Sequence, residues 1–408
     1  MTSVEENTRA VQSWTDDFDV LDPQYTLEPD RVWRGLRESC PVAHTERYGS
    51  TWMPVEYADL TAIAHDIDHF SSLDIAVITA GREVDPLTTT MLKAPPITSD
   101  PPEHTAARRL LLPAFSPGAV DALIPVTRKL ANELIDRFIG GSEADAAVDY
   151  AQHIPVRIIA EMLGVPTEDE AIFTGWAVTV IQQGFTNVQG AIAAVTELID
   201  YFRRRIADRL AVPEGSRPDD VLTLLVESRI DGEPLSDHHL VGSCFLLLLA
   251  GIDTTWSGIG SSLWHLATHP DDQQRLRDDP GLMDTAVEEF LRFYSPVTMA
   301  RYVAEDVEYK GCPMTVGDKV ILTFPAANRD PAVFDRADEF VIDRAKNRHL
   351  AFGAGIHRCL GSNLARMEMR VALETWLARV PTFELADADA VVWTGGQVRG
   401  PRRVPVRW

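Results

Sequence analysis

The chain has 408 residues, 45% of them apolar, and a formal net charge of −23. The apolar share suits a globular protein with a sizeable core, and the acidic balance disfavours a nucleic-acid binder, which needs a basic footprint. Four cysteines, Cys40, Cys244, Cys312 and Cys359, form no CxxC pair, which argues against a disulfide framework and a conventional zinc ribbon.

The chain opens MTSVEENTRAVQSWTDD, which is acidic and lacks the basic-then-apolar pattern of a signal peptide. The longest apolar run, from Cys244 to Ile252, is too short to span a bilayer. Together these features predict a cytoplasmic protein without a membrane partner, with residues 1–20 forming a less ordered segment. Beyond them most segments read as helix: 104–115, 122–139 and 192–210 carry apolar residues at three-and-four spacing. Short β-like runs lie at 51–55, 307–324 and 398–408. The middle run predicts a hairpin with Gly311 and Pro313 near one turn and Gly317 at another. The connectors at 99–104 and 211–220 are short, and no internal repeat stands out. The expected architecture is one α-rich domain over residues 1–408, mainly α with small β-sheets.

Residues 237–267 predict a helix through the core, since its middle is apolar on every side. Ala250-Gly251-Ile252-Asp253-Thr254-Thr255 interrupts that pattern. A buried carboxylate without a partner costs several kcal/mol, glycine costs a helix interior about 1 kcal/mol relative to alanine, and threonine can bond the carbonyl three or four residues back. Together they predict a weakened helix with a groove beside Gly251. An acid next to an alcohol there could hold a small ligand and pass it protons. The alternative is a capped kink whose Asp253 pairs with a distant arginine. Further on, Glu289 and Arg292 share a helix face. Their apolar neighbours suggest partial burial, although ExxR alone reads more readily as a surface pair.

The stretch AFGAGIHRCLG, residues 351–361, presents Cys359 just before a helical pattern. The helix dipole, Arg358 and His357 are all expected to lower its thiol pKa. Gly353 and Gly355 allow a tight loop that can lie close to a flat object and aim amides at the sulfur. Three readings stay open: a nucleophile, a metal ligand or an inert core thiol. The nucleophile lacks a clear base and oxyanion hole, and zinc lacks further ligands at matching spacing. Heme needs only one protein thiolate. The surrounding segment, Asp343 to Arg370, is rich in basic residues. It reads either as a dock for an acidic partner or as a solvated basic face.

Four separated motifs now stand in one order: His104-Thr105-x-x-Arg108-Arg109, Ala250 to Thr255, Glu289-x-x-Arg292, and Phe352-Gly353-x-Gly355-x-His357-Arg358-Cys359-Leu360-Gly361. In these the chain resembles the cytochrome P450 family in its soluble bacterial form, over nearly its whole length. The resemblance implies heme b (iron protoporphyrin IX) between the long central helix and the cysteine-loop helix. It makes Cys359 the proximal iron ligand and Asp253 and Thr254 the catalytic acid–alcohol pair. His104, Arg108, Arg301 and His357 would bind the propionates. Phe352 and Ala250 would also border the heme, and Gly251 would leave room for dioxygen. Glu289 and Arg292 would belong to a network behind the heme. One departure is Glu339, which stands where the family often has Arg or His, so Arg336 and Arg344 become candidates for the third partner.

The activity implied is a monooxygenase that inserts one oxygen atom from O2 into a small to medium apolar organic substrate, by hydroxylation or oxidative O-dealkylation. Alternatives are a peroxide-driven peroxygenase and a non-enzymatic heme or metal binder; Asp253 and Thr254 favour the first reading. Electrons would come from a separate ferredoxin and its reductase, docking around Arg344, Lys346, Arg348, Arg358 and Arg366 of a monomer. Family topology places Ile75, Val77, Ile78, Met91 and Leu92 in a loop over the heme and Ile181 and Phe185 in the roof. Val297, Thr298 and Met299 would line a wall, and Trp393 would reach in from the last hairpin.

Overall fold

The computed structural model describes residues 10–47, 49–78 and 93–408. Its axis is the helix Asp237–Thr268, capped where the Ser236 side chain accepts the His239 amide. It runs unbroken through the Ala250–Thr255 motif; the Thr254 hydroxyl donates to the Ala250 carbonyl at 2.8 Å. The expected weakening therefore does not divide the helix. It is long and apolar enough to cross a membrane, more than its longest apolar run suggested, but 72% of its most apolar window is buried in protein. A core helix has this character because neighbours cover every side.

Those neighbours are the helices His153–Leu163 and Ser362–Arg379 and the strand Gly400–Arg403. Two glycines set how closely they approach. A Cβ on Gly251 would meet Ile159 Cγ1 at 3.3 Å, and one on Gly258 would meet Met369 Sδ at 3.1 Å. Both positions need the missing side chain for helix packing.

The three helical stretches expected from spacing form helices at Glu103–Leu111, Ile124–Asp136 and Val188–Ala211, the first continuing as a short 3-10 turn over Leu112–Phe115. The main sheet has five strands in the order Val42–Thr45, Thr51–Pro54, Lys319–Leu322, Met299–Val303, Phe70–Ser71. The second and third are parallel; the other neighbours are antiparallel. The expected hairpin pairs Val307–Tyr309 with Cys312–Met314. Its turn is Lys310-Gly311, with φ of 51° and 79°, while Pro313 lies within the strand. Asparagine or glycine usually fills such positive-φ positions.

Near the C-terminus, Val392–Thr394 pairs with Gly400–Arg403, which lays Arg402 against the central helix. The last strand, Pro405–Arg407, joins Glu143–Asp145 and Glu384–Leu385. At the other end, residues 17–20 depart from the expected loose segment. Phe18 and Val20 are buried, and the Arg47 guanidinium pairs with Asp17 at 2.6 Å and Asp19 at 3.4 Å. Residues 1–9 lie outside the described residues.

Candidate active site

The cysteine loop is shaped by its glycines. Gly353 and Gly355 both have φ of 68°, and a side chain on Gly355 would run into the Ala64 carbonyl. Only glycine adopts this geometry at low cost. The loop closes where the Cys359 amide donates to the Phe352 carbonyl at 2.8 Å, and the Arg366 guanidinium covers the Phe352 ring at 4.5 Å. Cys359 retains accessible surface although protein crowds it closely, so its thiol faces an interior slot beneath the central helix rather than bulk solvent.

The expected lowered thiol pKa is corrected. Burial pushes the Cys359 thiol up; the Gly361 amide and Arg108, Arg358 and Arg366 only oppose that shift. His357 does not help, because burial and neighbouring cations drive its own pKa down to about 2, leaving it neutral. The helix also begins three residues later, at Ser362. A thiolate here therefore needs a strong electrophile such as a metal ion to hold it.

Beside the thiol lies a basic cradle in which cations outnumber the one nearby acid, Asp100. The His104 and His357 rings are 4.3 Å apart, and among the described residues no side chain bonds either ring nitrogen of His104 or Nε2 of His357. Arg301 is buried, donates to the Ala300 carbonyl at 2.8 Å, and has its pKa pushed down to about 10 by burial. Arg108 donates to the Arg358 carbonyl at 2.6 Å. Buried polar groups without partners are costly, and four basic groups converging on one slot fit two carboxylates. The residues present thus fit heme, with its propionates on this cradle and its iron on Cys359. Among the described residues no cluster of three or more His, Cys, Asp or Glu offers an alternative protein-built metal site.

On the other side of the slot, Ala250 and Thr254 border a cavity of about 340 Å³. Gly251 does not; it faces Ile159, so its expected role of leaving room for dioxygen is replaced by helix packing. Asp253 is fully buried and turned toward the roof and the last hairpin. Gln182 Nε2 donates to its Oδ1 at 2.7 Å, and Arg402 Nη2 donates to its Oδ2 at 3.1 Å. Arg402 Nη1 also lies 3.0 Å from Oδ1 but out of line for a hydrogen bond. Burial raises the Asp253 pKa, with Arg402 and Gln182 opposing. Asp253 thus pairs with a distant arginine, as one sequence reading expected, while standing next to the Thr254 alcohol in sequence.

The cavity takes in Ile75, Ile78, Ile181, Phe185, Val297 and Met299 as expected. Val77 packs instead into the core, Thr298 is buried but does not line the cavity, and Trp393 meets Trp264 edge-on with Arg399 over its ring. Met91 and Leu92 lie outside the described residues.

The Glu289–Arg292 pair is not on the surface: both side chains are fully buried. Arg344 is the third partner, its Nε donating to Glu289 at 3.0 Å, while Arg336 faces Glu339. Sequence reasoning missed Arg402, Gln182 and the buried Glu368. The only local signal was polarity inside the apolar runs 178–185 and 398–408.

Comparison with known proteins agrees with this geometry. The sequence profile described as Cytochrome P450 matches residues 176–280 and 281–387. Mycinamicin IV hydroxylase/epoxidase of Micromonospora griseorubida is 34% identical over 381 residues, covering 91% of this chain and 94% of that protein. The polyketide biosynthesis cytochrome P450 PksS of Bacillus subtilis (strain 168) is 33% identical over 399 residues, covering 94% and 96%. The solved PksS structure superposes with a TM-score of 0.85 at 31% identity, covering 96% of this chain and 99% of that one. The chain belongs to the cytochrome P450 family. It is a P450 monooxygenase, and members of this family bind heme b with cysteine-ligated iron.

Proposed function

We propose that this enzyme inserts one oxygen atom from dioxygen into a small to medium, mainly apolar substrate held in the 340 Å³ cavity. The outcome is hydroxylation or, where the attacked carbon adjoins an ether oxygen, O-dealkylation. Relatives named as hydroxylases, such as mycinamicin IV hydroxylase/epoxidase and vitamin D(3) 25-hydroxylase, support this reading. The observation that carries it is the Thr254 hydroxyl at the cavity wall, next to the buried acid Asp253.

The bound heme supplies the chemistry of dioxygen reduction and substrate oxidation. The chain's residues supply the rest. Cys359 would hold the iron, and His104, Arg108, Arg301 and His357 would hold the propionates. Ala250 and the aliphatic wall exclude water. The Thr254 hydroxyl rests on the Ala250 carbonyl and swings toward the cavity to donate. Asp253 replenishes that proton after letting go of Arg402 or Gln182. Replacing Thr254 with Ala should leave substrate binding intact while most electrons consumed end in hydrogen peroxide rather than product. Measuring product per NADH in the reconstituted system checks this. Unchanged coupling, with turnover sustained by added peroxide alone, would favour the peroxygenase instead.

Electrons come from a separate acidic ferredoxin and its reductase. Arg344 and Arg366 are committed to Glu289 and Glu288, so the docking set narrows to the exposed Lys346, Arg348 and Arg358, with Arg109 added. Reversing Lys346 and Arg348 to Glu should slow reduction by the ferredoxin at least ~tenfold at low salt, leaving substrate binding unchanged. Equal reduction rates would remove this surface from the mechanism.

A further inference from the structure

The wall of the substrate cavity is aliphatic for most of its extent but carries a carboxylate. Asp74 lines it and is only 7% exposed. Its Oδ1 accepts the Ala76 amide at 2.9 Å. Among the described residues no donor reaches Oδ2. Lys319 is drawn electrostatically toward Asp74 but forms no ion pair with it; its Nζ donates to the Val77 carbonyl at 3.1 Å and sits 5.7 Å from the Tyr302 ring centre. Burial holds the Lys319 pKa down to about 8.

Gln397 lines the same cavity close by. Its Nε2 lies 3.5 Å from the Ile75 carbonyl, one residue along from Asp74, and 3.7 Å from Met299 Sδ. This turns the amide nitrogen toward protein and leaves Oε1, a second acceptor, without a donor among the described residues. A carboxylate and an amide oxygen thus stand together in a wall otherwise built mostly of apolar side chains. Both oxygens are free to accept a donor or to answer a positive charge on a ligand that fills the cavity.

We propose that the substrate carries a cationic nitrogen that pairs with Asp74 while its apolar remainder fills the cavity as far as Thr254. The inference rests on the reading of this cavity as the substrate site and narrows it to alkylamine-like molecules. A neutral hydroxyl gains a hydrogen bond at Oδ2 but no charge pairing. A carboxylic acid meets Asp74 as a like charge and is disfavoured. The net charge of −23 also concentrates cations rather than anions near the protein.

Three chain-matched probes test this on the heme-loaded enzyme: decyltrimethylammonium, decanol and decanoate, each titrated by the heme spin-state shift. The quaternary nitrogen has no lone pair, so it cannot bind the iron directly and its signal reports cavity occupancy. The cation should bind at least ~tenfold more tightly than the alcohol, and decanoate more weakly still. Asp74→Asn keeps an acceptor for the Ala76 amide. It should lose most of the preference for the cation and change alcohol affinity less than ~twofold. The wild-type order of affinities is decisive even if the variant folds poorly. Decanoate binding as tightly as the cation overturns the cationic substrate and leaves the monooxygenase reading standing. A spin state unmoved by all three probes overturns both this inference and the use of this cavity as the substrate site.

Discussion

Two buried carboxylate–arginine pairs lie on either side of the heme slot, and they are built to different standards. Glu289 is saturated: it accepts two bonds from Arg292, two contacts from Arg344, one from Asn347 and the Val341 amide. Arg292 spends its remaining donors on the carbonyls of Asn328, Ala337 and Glu339. Asp253, equally buried, has one aligned bond from Arg402 and one from Gln182. A saturated network fixes one arrangement of the chain. An acid with few partners can change them. The first pair ties together the chain segments around Asn328, Ala337 and Val341; the second keeps the few partners that the proposed proton donor would have to exchange.

The comparison breaks most visibly at Arg292. Replacing it with Met strands Glu289 as a buried charge that Arg344 and Asn347 only partly answer. The loss should be about 3–5 kcal/mol in urea unfolding of the heme-loaded protein, with a matching fall in soluble yield. A loss below ~1 kcal/mol would mean that the pair is not a clasp.

A third buried carboxyl sharpens the contrast. Glu368 has no cation partner among the described residues; burial pushes its pKa up to about 8 against a contact with Thr255. The unfolded chain releases this proton near 4.5. Between those values the folded protein binds more protons than the unfolded one, so stability falls as pH rises. Glu368→Gln removes that slope. The variant should gain about 4 kcal/mol relative to wild type at pH 8 and almost nothing near pH 4.5, read as thermal unfolding at both pH values. An equal difference at both would show that Glu368 keeps its charge in the fold.

The smallest loss of stability belongs to Arg402. Because burial already raises the Asp253 pKa, the acid can take up a proton when its partner is lost. Arg402→Met should therefore cost about 1–2 kcal/mol, less than Arg292→Met. It should also move the basic limb of the turnover profile to higher pH, since Arg402 no longer holds down the pKa of the proton-donating Asp253. Equal stability losses for the two arginines would erase the distinction between the pairs.

Some of this was written in local spacing. The loop glycines, Cys359, the i,i+3 partners Glu289 and Arg292, and the Thr254 bond to Ala250 four residues back are short-range relations. Helix and turn geometry fix them wherever the segment sits. The three amphipathic helices and the Lys310-Gly311 turn were legible for the same reason. Family resemblance then joined these motifs into a heme site.

Other features needed the folded chain. Arg402 reaches Asp253 across 149 residues of sequence, and Arg344 reaches Glu289 across 55. Nothing in either segment's periodicity marks its partner. Gly251 was legible as a helix-weakening residue, but only the packed neighbour Ile159 explains why it is glycine. The Cys359 thiol reversed its expected shift because desolvation by the whole fold outweighs nearby cations and amides. Asp74 entered the cavity because the Ala300 amide ties the Ile75 carbonyl to the sheet. By itself the sequence determined which residues can do heme chemistry, since that depends on side-chain type and short spacing. Tertiary structure decided which of them are desolvated, paired or left waiting for a ligand, because burial and long-range contacts exist only after the chain has closed on itself.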